Sequence, residues 1–163
     1  METKKLSQFE VITFFIGEIT LFSADIERCM NDIISSFFIT DSKKKILFNR
    51  WLLYRNGFKF KDKIECLNFI ADSVNDKLSK GILETTIMFA MRFDIVKNNL
   101  SYGGICFSDE QENVAINIVS DMYRYKRIEI TPEYMEIARD TAISTIEGLK
   151  NAMNLIHGAE QAN

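Results

Sequence analysis

Proline appears once and glycine seven times in 163 residues, which leaves no Pro-rich linker, collagen-like repeat or low-complexity tail. Cysteine is scarce as well. Cys29, Cys66 and Cys106 are odd in number and more than 35 residues apart, and there is one histidine, His157. Such a set makes neither a disulfide framework nor a zinc-spaced cluster, so no metal is expected. The longest apolar run, Val11 to Gly17, stops at Glu18, far short of the roughly 20 residues of a membrane span. No basic start leads into an apolar stretch and a small-residue cleavage site, so no signal peptide is expected. These absences describe a reduced, soluble, cytoplasmic chain with no membrane partner. Its length suits one domain over residues 1–163.

What is present is unevenly spread. Between Lys43 and Lys63 stand eight basic residues (Lys43, Lys44, Lys45, Arg50, Arg55, Lys59, Lys61, Lys63) and one acid, Asp62. The segment carries +7 in a chain of net charge −3, leaving −10 for the rest. A basic stretch in an acidic protein can serve as a docking surface for phosphate or for an acidic partner.

Hydrophobic periodicity predicts a mainly α fold: an antiparallel bundle of about five helices with a β-hairpin before the last. Phe9, Ile12, Ile16, Ile19, Ser23, Ile26, Met30, Ile33 and Phe37 alternate by three and four, and Ser23 alone is polar. Phe14, Phe15, Leu21 and Phe22 widen that face, so the first half of this helix should meet more than one neighbour. Asp41-Ser42 can cap a second helix over Lys43 to Arg55, closed by Asn56-Gly57, whose apolar residues share no clean face. A third spans Lys61 to Val74 with Ile64, Leu67, Ile70 and Ala71 inward. Asp76 to Gly81 reads as a loop. A fourth helix from Ile82 turns Ile82, Phe89, Phe93, Val96 and Leu100 inward, with Leu83, Ile87 and Ala90 beside them, and ends at Tyr102-Gly103-Gly104. Val114–Val119 and Tyr123–Ile130 alternate as strands around Ser120-Asp121-Met122. Thr131-Pro132-Glu133 starts a last helix that runs to about Ile156, with a frayed tail after Gly158.

Most catalytic signatures are missing. Gly103-Gly104 follows no strand and precedes no lysine-serine pair, so no phosphate loop and no cofactor are expected. Glu18, Asp25 and Asp32 form a polar line that a solvated helix face explains. Two features rise above this background. In the basic segment Phe48, Trp51, Tyr54, Phe58 and Phe60 alternate with the cations, as single-stranded nucleic acid would require, although lysine stems over core aromatics give the same pattern. The second is Asp94 to Gly103, where polar residues crowd the end of an apolar helix.

The order of short motifs resembles the HEPN superfamily of helical domains. Ser23-Ala24-Asp25-Ile26-Glu27 matches its Ala/Ser-x-x-Glu turn, and Phe60-Lys61-Asp62-Lys63-Ile64 its Phe-x-x-Lys helix. Lys97-Asn98-Asn99-Leu100-Ser101-Tyr102-Gly103 falls where the family carries Arg-Asn-x-x-Ala-His-Gly, and the hairpin and Ile130-Thr131-Pro132-Glu133 follow in order. The resemblance covers roughly residues 8–157 and implies a homodimer. Active members are metal-independent endoribonucleases, which makes Lys97, Asn98, Tyr102 and Glu27 the candidate catalytic residues. Here lysine replaces the arginine fork and tyrosine, with a pKa near 10, replaces the histidine base. Losing a general base costs roughly 10²- to 10⁴-fold.

Three readings follow. One is a HEPN-like protein, weak or inactive as a nuclease, that binds RNA or a protein partner in a defence or toxin–antitoxin setting. Its RNA-binding candidates are Lys43, Lys44, Lys45, Arg50, Arg55 and Lys63. Another is an active ribonuclease using Lys97 and Tyr102. The last is a helical adaptor unrelated to RNA.

Overall fold

A computed structural model describes residues 7–54, 58–102, 104–107, 114–120 and 124–160, with the backbone alone for 8–9, 101–102, the strands up to 129, and 157–160. The chain is a mainly α helical bundle. Its helices are α1 (Gln8–Phe38), α2 (Ser42–Phe48), α3 (Phe60–Ser73), α4 (Lys77–Tyr102) and α5 (Pro132–Glu160).

Local chemistry sets the ends of these helices. Ser7 caps α1: its hydroxyl accepts from the Glu10 N–H, while the Glu10 carboxylate accepts from the Ser7 N–H at 2.8 Å. Asp41 accepts from the N–H groups of Lys43 and Lys44, as its sequence position implied. The helix it starts is shorter than the expected Lys43–Arg55 stretch, because the chain widens at Asn49–Leu53 into a π-helical turn closed by the Tyr54 N–H on the Asn49 carbonyl. That turn drives Leu53 into the core and leaves Ile46, Leu47, Trp51, Leu52 and Tyr54 exposed. Asn56-Gly57, the expected stop, lies outside the described residues.

The stretch read as a loop from Asp76 to Gly81 is instead the first turn of α4. The Asp76 carboxylate accepts from the Ser79 N–H at 2.7 Å and from its hydroxyl at 2.6 Å, and this cap outweighs the weak helix propensity of Gly81. The buried face of α4 is centred on Leu83, Thr86, Ile87, Ala90, Phe93 and Leu100; Ile82, Phe89 and Val96 flank it, half-buried. On α1, Phe15 is fully buried and Phe22 partly so, while Phe14 and Leu21 face outward. Thr131 caps α5 by accepting from the Tyr134 N–H, and Met135, Ala138, Ala142, Leu149 and Ile156 turn inward. The α5 helix continues past the expected Ile156 to Glu160.

Helix directions are mixed rather than uniformly antiparallel. Residues on α1 and α5 pair in the same order along both helices: Phe15 with Tyr134, then Glu18 with Arg139. The same holds for α1 and α3, where Glu27 meets Lys63 and Phe38 stacks on Phe69. Of the four long helices α4 is the one that runs against its neighbours, shown by Asp72–Lys80 on α3 and by Thr86 beside Gly148 on α5. The reason is the long connection through α2 and the π turn, which carries the chain back along the bundle before α3 begins. Between α4 and α5, β1 (Gly104–Phe107), β2 (Val114–Ser120) and β3 (Arg124–Ile130) pair antiparallel in that order, with Val114 opposite Ile130. Residues 121–123, where the expected hairpin turns, lie outside the described residues. No described helix is long and apolar enough to cross a membrane.

Candidate functional site: a charged cleft between α1 and α4

Because α4 runs against α1, its C-terminal half passes the middle of α1. There a cleft of about 410 Å³ opens, lined by Ile16, Ile19, Thr20, Ser23, Ala24 and Glu27 of α1, Lys97 and Leu100 of α4, and Tyr54. Ser23, the polar break in the apolar line of α1, therefore opens onto this cleft with Glu27 one helical turn further on. Tyr54 arrives from the end of the π turn and is the residue of the basic segment that lines the cleft.

Glu27 ties three helices together. Its Oε2 accepts from the Lys63 ammonium of α3 at 2.8 Å, and its Oε1 from the Lys97 ammonium of α4 at 3.3 Å. The two lysines differ in surroundings: the Lys63 side chain is 2% exposed and that of Lys97 is 31% exposed. Partial burial works to raise the Glu27 carboxyl, but Lys63, with Lys97 behind it, outweighs this and holds the group below the usual carboxylate range. One turn before Lys97, Asp94 accepts from the Asn98 amide at 2.9 Å. Burial pushes the Asp94 carboxyl up, with Glu27 adding to the effect, while Lys97 and the Asn98 bond oppose it. Asp94 lines a separate groove with Phe60, Lys61, Ile64, Met91 and Ile95.

Of the four candidate catalytic residues, the fold brings Glu27 and Lys97 together. Asn98 is exposed and engaged with Asp94, and the Tyr102 side chain lies outside the described residues. Of the RNA-binding candidates, Lys43, Lys44 and Arg50 are exposed and pair with no acid among the described residues. Lys45 is half-buried and donates to the Ser36 hydroxyl. Arg55 lies outside the described residues. Lys63 departs from its expected place among the outward cations: it is buried against Glu27, because its position on α3 falls on the same inward face as Ile64 and Leu67. The available signal was its spacing: Lys63 stands one residue before Ile64 and four before Leu67, on the apolar face of α3. The acidic line dissolves into separate pairs, Glu18 with Arg139 and Asp25 with Arg28. Among the described residues no three His, Cys, Asp or Glu side chains converge.

No family model, curated protein or solved structure matches the chain.

Proposed function

We propose that the chain is a HEPN-like helical domain, working as a homodimer, that binds RNA and is weak or inactive as a nuclease, in a defence or toxin–antitoxin setting. The observation that carries this reading is the meeting of Glu27 and Lys97, 70 residues apart in sequence, on the wall of a cleft rimmed by Tyr54. Attack of an RNA 2′-hydroxyl on its own phosphate needs a base, an acid and a cation at the phosphate. Lys97 supplies a cation without the arginine fork. Glu27 already accepts from two ammonium groups, which makes it a weak proton acceptor. Those two facts favour binding over turnover. The exposed Arg50, four residues before Tyr54, and the exposed Lys43 and Lys44 earlier in the same segment supply further cations for a phosphate backbone.

Total cellular RNA incubated in EDTA with the wild type, Lys97→Ala and Tyr102→Phe tests this. The expected result is intact RNA throughout, with a salt-sensitive complex for the wild type. Cleavage by the wild type that both variants lose would replace the proposal with an active metal-independent endoribonuclease. A second reading, an adaptor docking an acidic protein segment, is favoured by the exposed Ile46, Leu47 and Leu52 among the cations, which RNA has no use for. It predicts no RNA complex even at low salt.

A further inference from the structure

We infer that Lys63 is a positioning residue that sets the charge of the cleft: by taking one oxygen of Glu27 in the interior, it leaves Lys97 able to meet a phosphate of the bound strand. The inference rests on the RNA-binding reading of this cleft and assigns a role to a residue that lines none of it. A lysine is almost never fully buried unless it is paired, and Lys63 is held by one carboxylate, that of Glu27. Since it does not reach the cleft, it acts there through Glu27 alone.

Four charged groups face one another at this point: Glu27 on α1, Lys63 on α3, and Asp94 and Lys97 on α4. With Lys63 in place their charges cancel. The Lys63–Glu27 contact is the shorter and drier of the two, so it is the less screened. The Lys97–Glu27 contact is longer, and Lys97 is the partner that opens to the cleft. A phosphate entering the cleft competes with Glu27 for Lys97, and Glu27 releases it without being left unpaired. Remove Lys63, and Glu27 keeps Lys97 as its partner: a phosphate that takes Lys97 then leaves the Glu27 carboxylate unpaired on the cleft wall, where it repels the anion. Glu27 on this account is a brake on Lys97, not a proton carrier.

The account makes an inverted expectation for Glu27. Binding of a fluorescein-labelled single-stranded RNA is measured by anisotropy across a salt series, for folded variants checked by circular dichroism. Lys63→Met should weaken binding several-fold and lower the salt slope by about 0.7, as loss of one phosphate contact does. Lys97→Met should do the same. Glu27→Gln should bind more tightly than the wild type, and Lys63→Met with Glu27→Gln should regain at least wild-type affinity. A scaffolding role would leave the double variant as weak as Lys63→Met, and a catalytic carboxylate gives no reason for Glu27→Gln to gain; either result overturns the inference. If the wild type binds no RNA, the RNA reading fails, and a ¹³C titration of the Glu27 carboxyl judges the charge arrangement independently. Lys63→Met should raise its midpoint more than Lys97→Met does, and an equal or smaller rise would sink the inference.

Discussion

Gly148 of α5 packs directly against Thr86 of α4, and one methyl group tests that contact. A Cβ added there would lie 2.3 Å from Oγ1, 3.0 Å from Cγ2 and 3.2 Å from Cβ of Thr86 on α4. Thr86 is buried and its hydroxyl donates to the Ile82 carbonyl at 2.7 Å. Turning its χ1 to make room gives up that hydrogen bond and moves its methyl within a packed face, so either Thr86 leaves its place or the helices part. Overpacking of this kind costs about 1–3 kcal/mol. Alanine recovers about 1 kcal/mol of helix propensity over glycine, so Gly148→Ala should be neutral to about 2 kcal/mol destabilising. Gly17 on α1 and Gly81 on α4 supply the control, since an added Cβ at either meets nothing within 4 Å. Each of those replacements should stabilise by up to about 1 kcal/mol. Thermal unfolding should therefore separate Gly148→Ala from Gly17→Ala by several degrees, at about 2–4 °C per kcal/mol for a chain of this size. Adding Thr86→Ser, whose hydroxyl can turn away with no methyl in its place, should recover most of the loss and show coupling in a double-mutant cycle. A Gly148→Ala midpoint as high as that of Gly17→Ala would refute the reasoning and put α4 and α5 further apart.

Three further expectations concern charge and burial. Asp94 has its carboxyl raised by burial, so its contribution to stability is present below the ordinary aspartate range and is lost as pH rises through the folded value. Asp94→Asn keeps an acceptor for Asn98 and should raise the unfolding midpoint at pH 7, with the gain vanishing below about pH 4; a gain independent of pH would contradict this. Reversing Lys43, Lys44 and Arg50 to glutamate should cut RNA affinity at low salt by at least tenfold and flatten the salt slope, with the fold unchanged by circular dichroism; unchanged binding would clear those residues of the role. Asn31 on α1 is fully buried, and neither polar atom of its amide has a hydrogen-bond partner among the described residues. Asn31→Leu should raise the midpoint by an amount equivalent to about 1–3 kcal/mol, the cost of an unpaired buried amide, and a lowered midpoint would show that the amide is in use.

Which parts of this architecture a sequence can reveal follows from how far the deciding contact reaches. Asp41, Thr131 and the apolar spacing of α1 and α5 act within one or two turns, and all are visible in the chain itself. Asp76 is equally local, but Gly81 obscured it: a glycine weakens a helix without ending it when a carboxylate has already paired the first free N–H groups. The π turn at Asn49–Leu53 left a trace, since the apolar residues of that segment share no helical face, yet the trace says only that something is irregular. Helix direction left none. Whether α3 runs with α1 or against it depends on the path of the chain between them, and residue patterns on the two helices are the same either way.

The cleft shows the same division more sharply. Ser23 and Glu27 stand one turn apart on α1 and could be picked out as polar positions in an apolar stretch. That Glu27 would be shared between a buried lysine and an accessible one could not, because Lys63 looks like any other member of a run of eight cations. Composition adds those eight as equals. The fold does not: it places one of them inside the bundle, where its charge acts on a carboxylate rather than on solvent, and leaves Lys43, Lys44 and Arg50 outside with no paired acid among the described residues. The +7 of the segment therefore overstates what reaches a partner at the surface, since one of its charges is withdrawn to the interior and answered there by Glu27. In a bundle this small, a buried ion pair adds little stability over an apolar pair of the same shape. Its consequence here lies in the partner it sets free, Lys97, at the wall of the cleft.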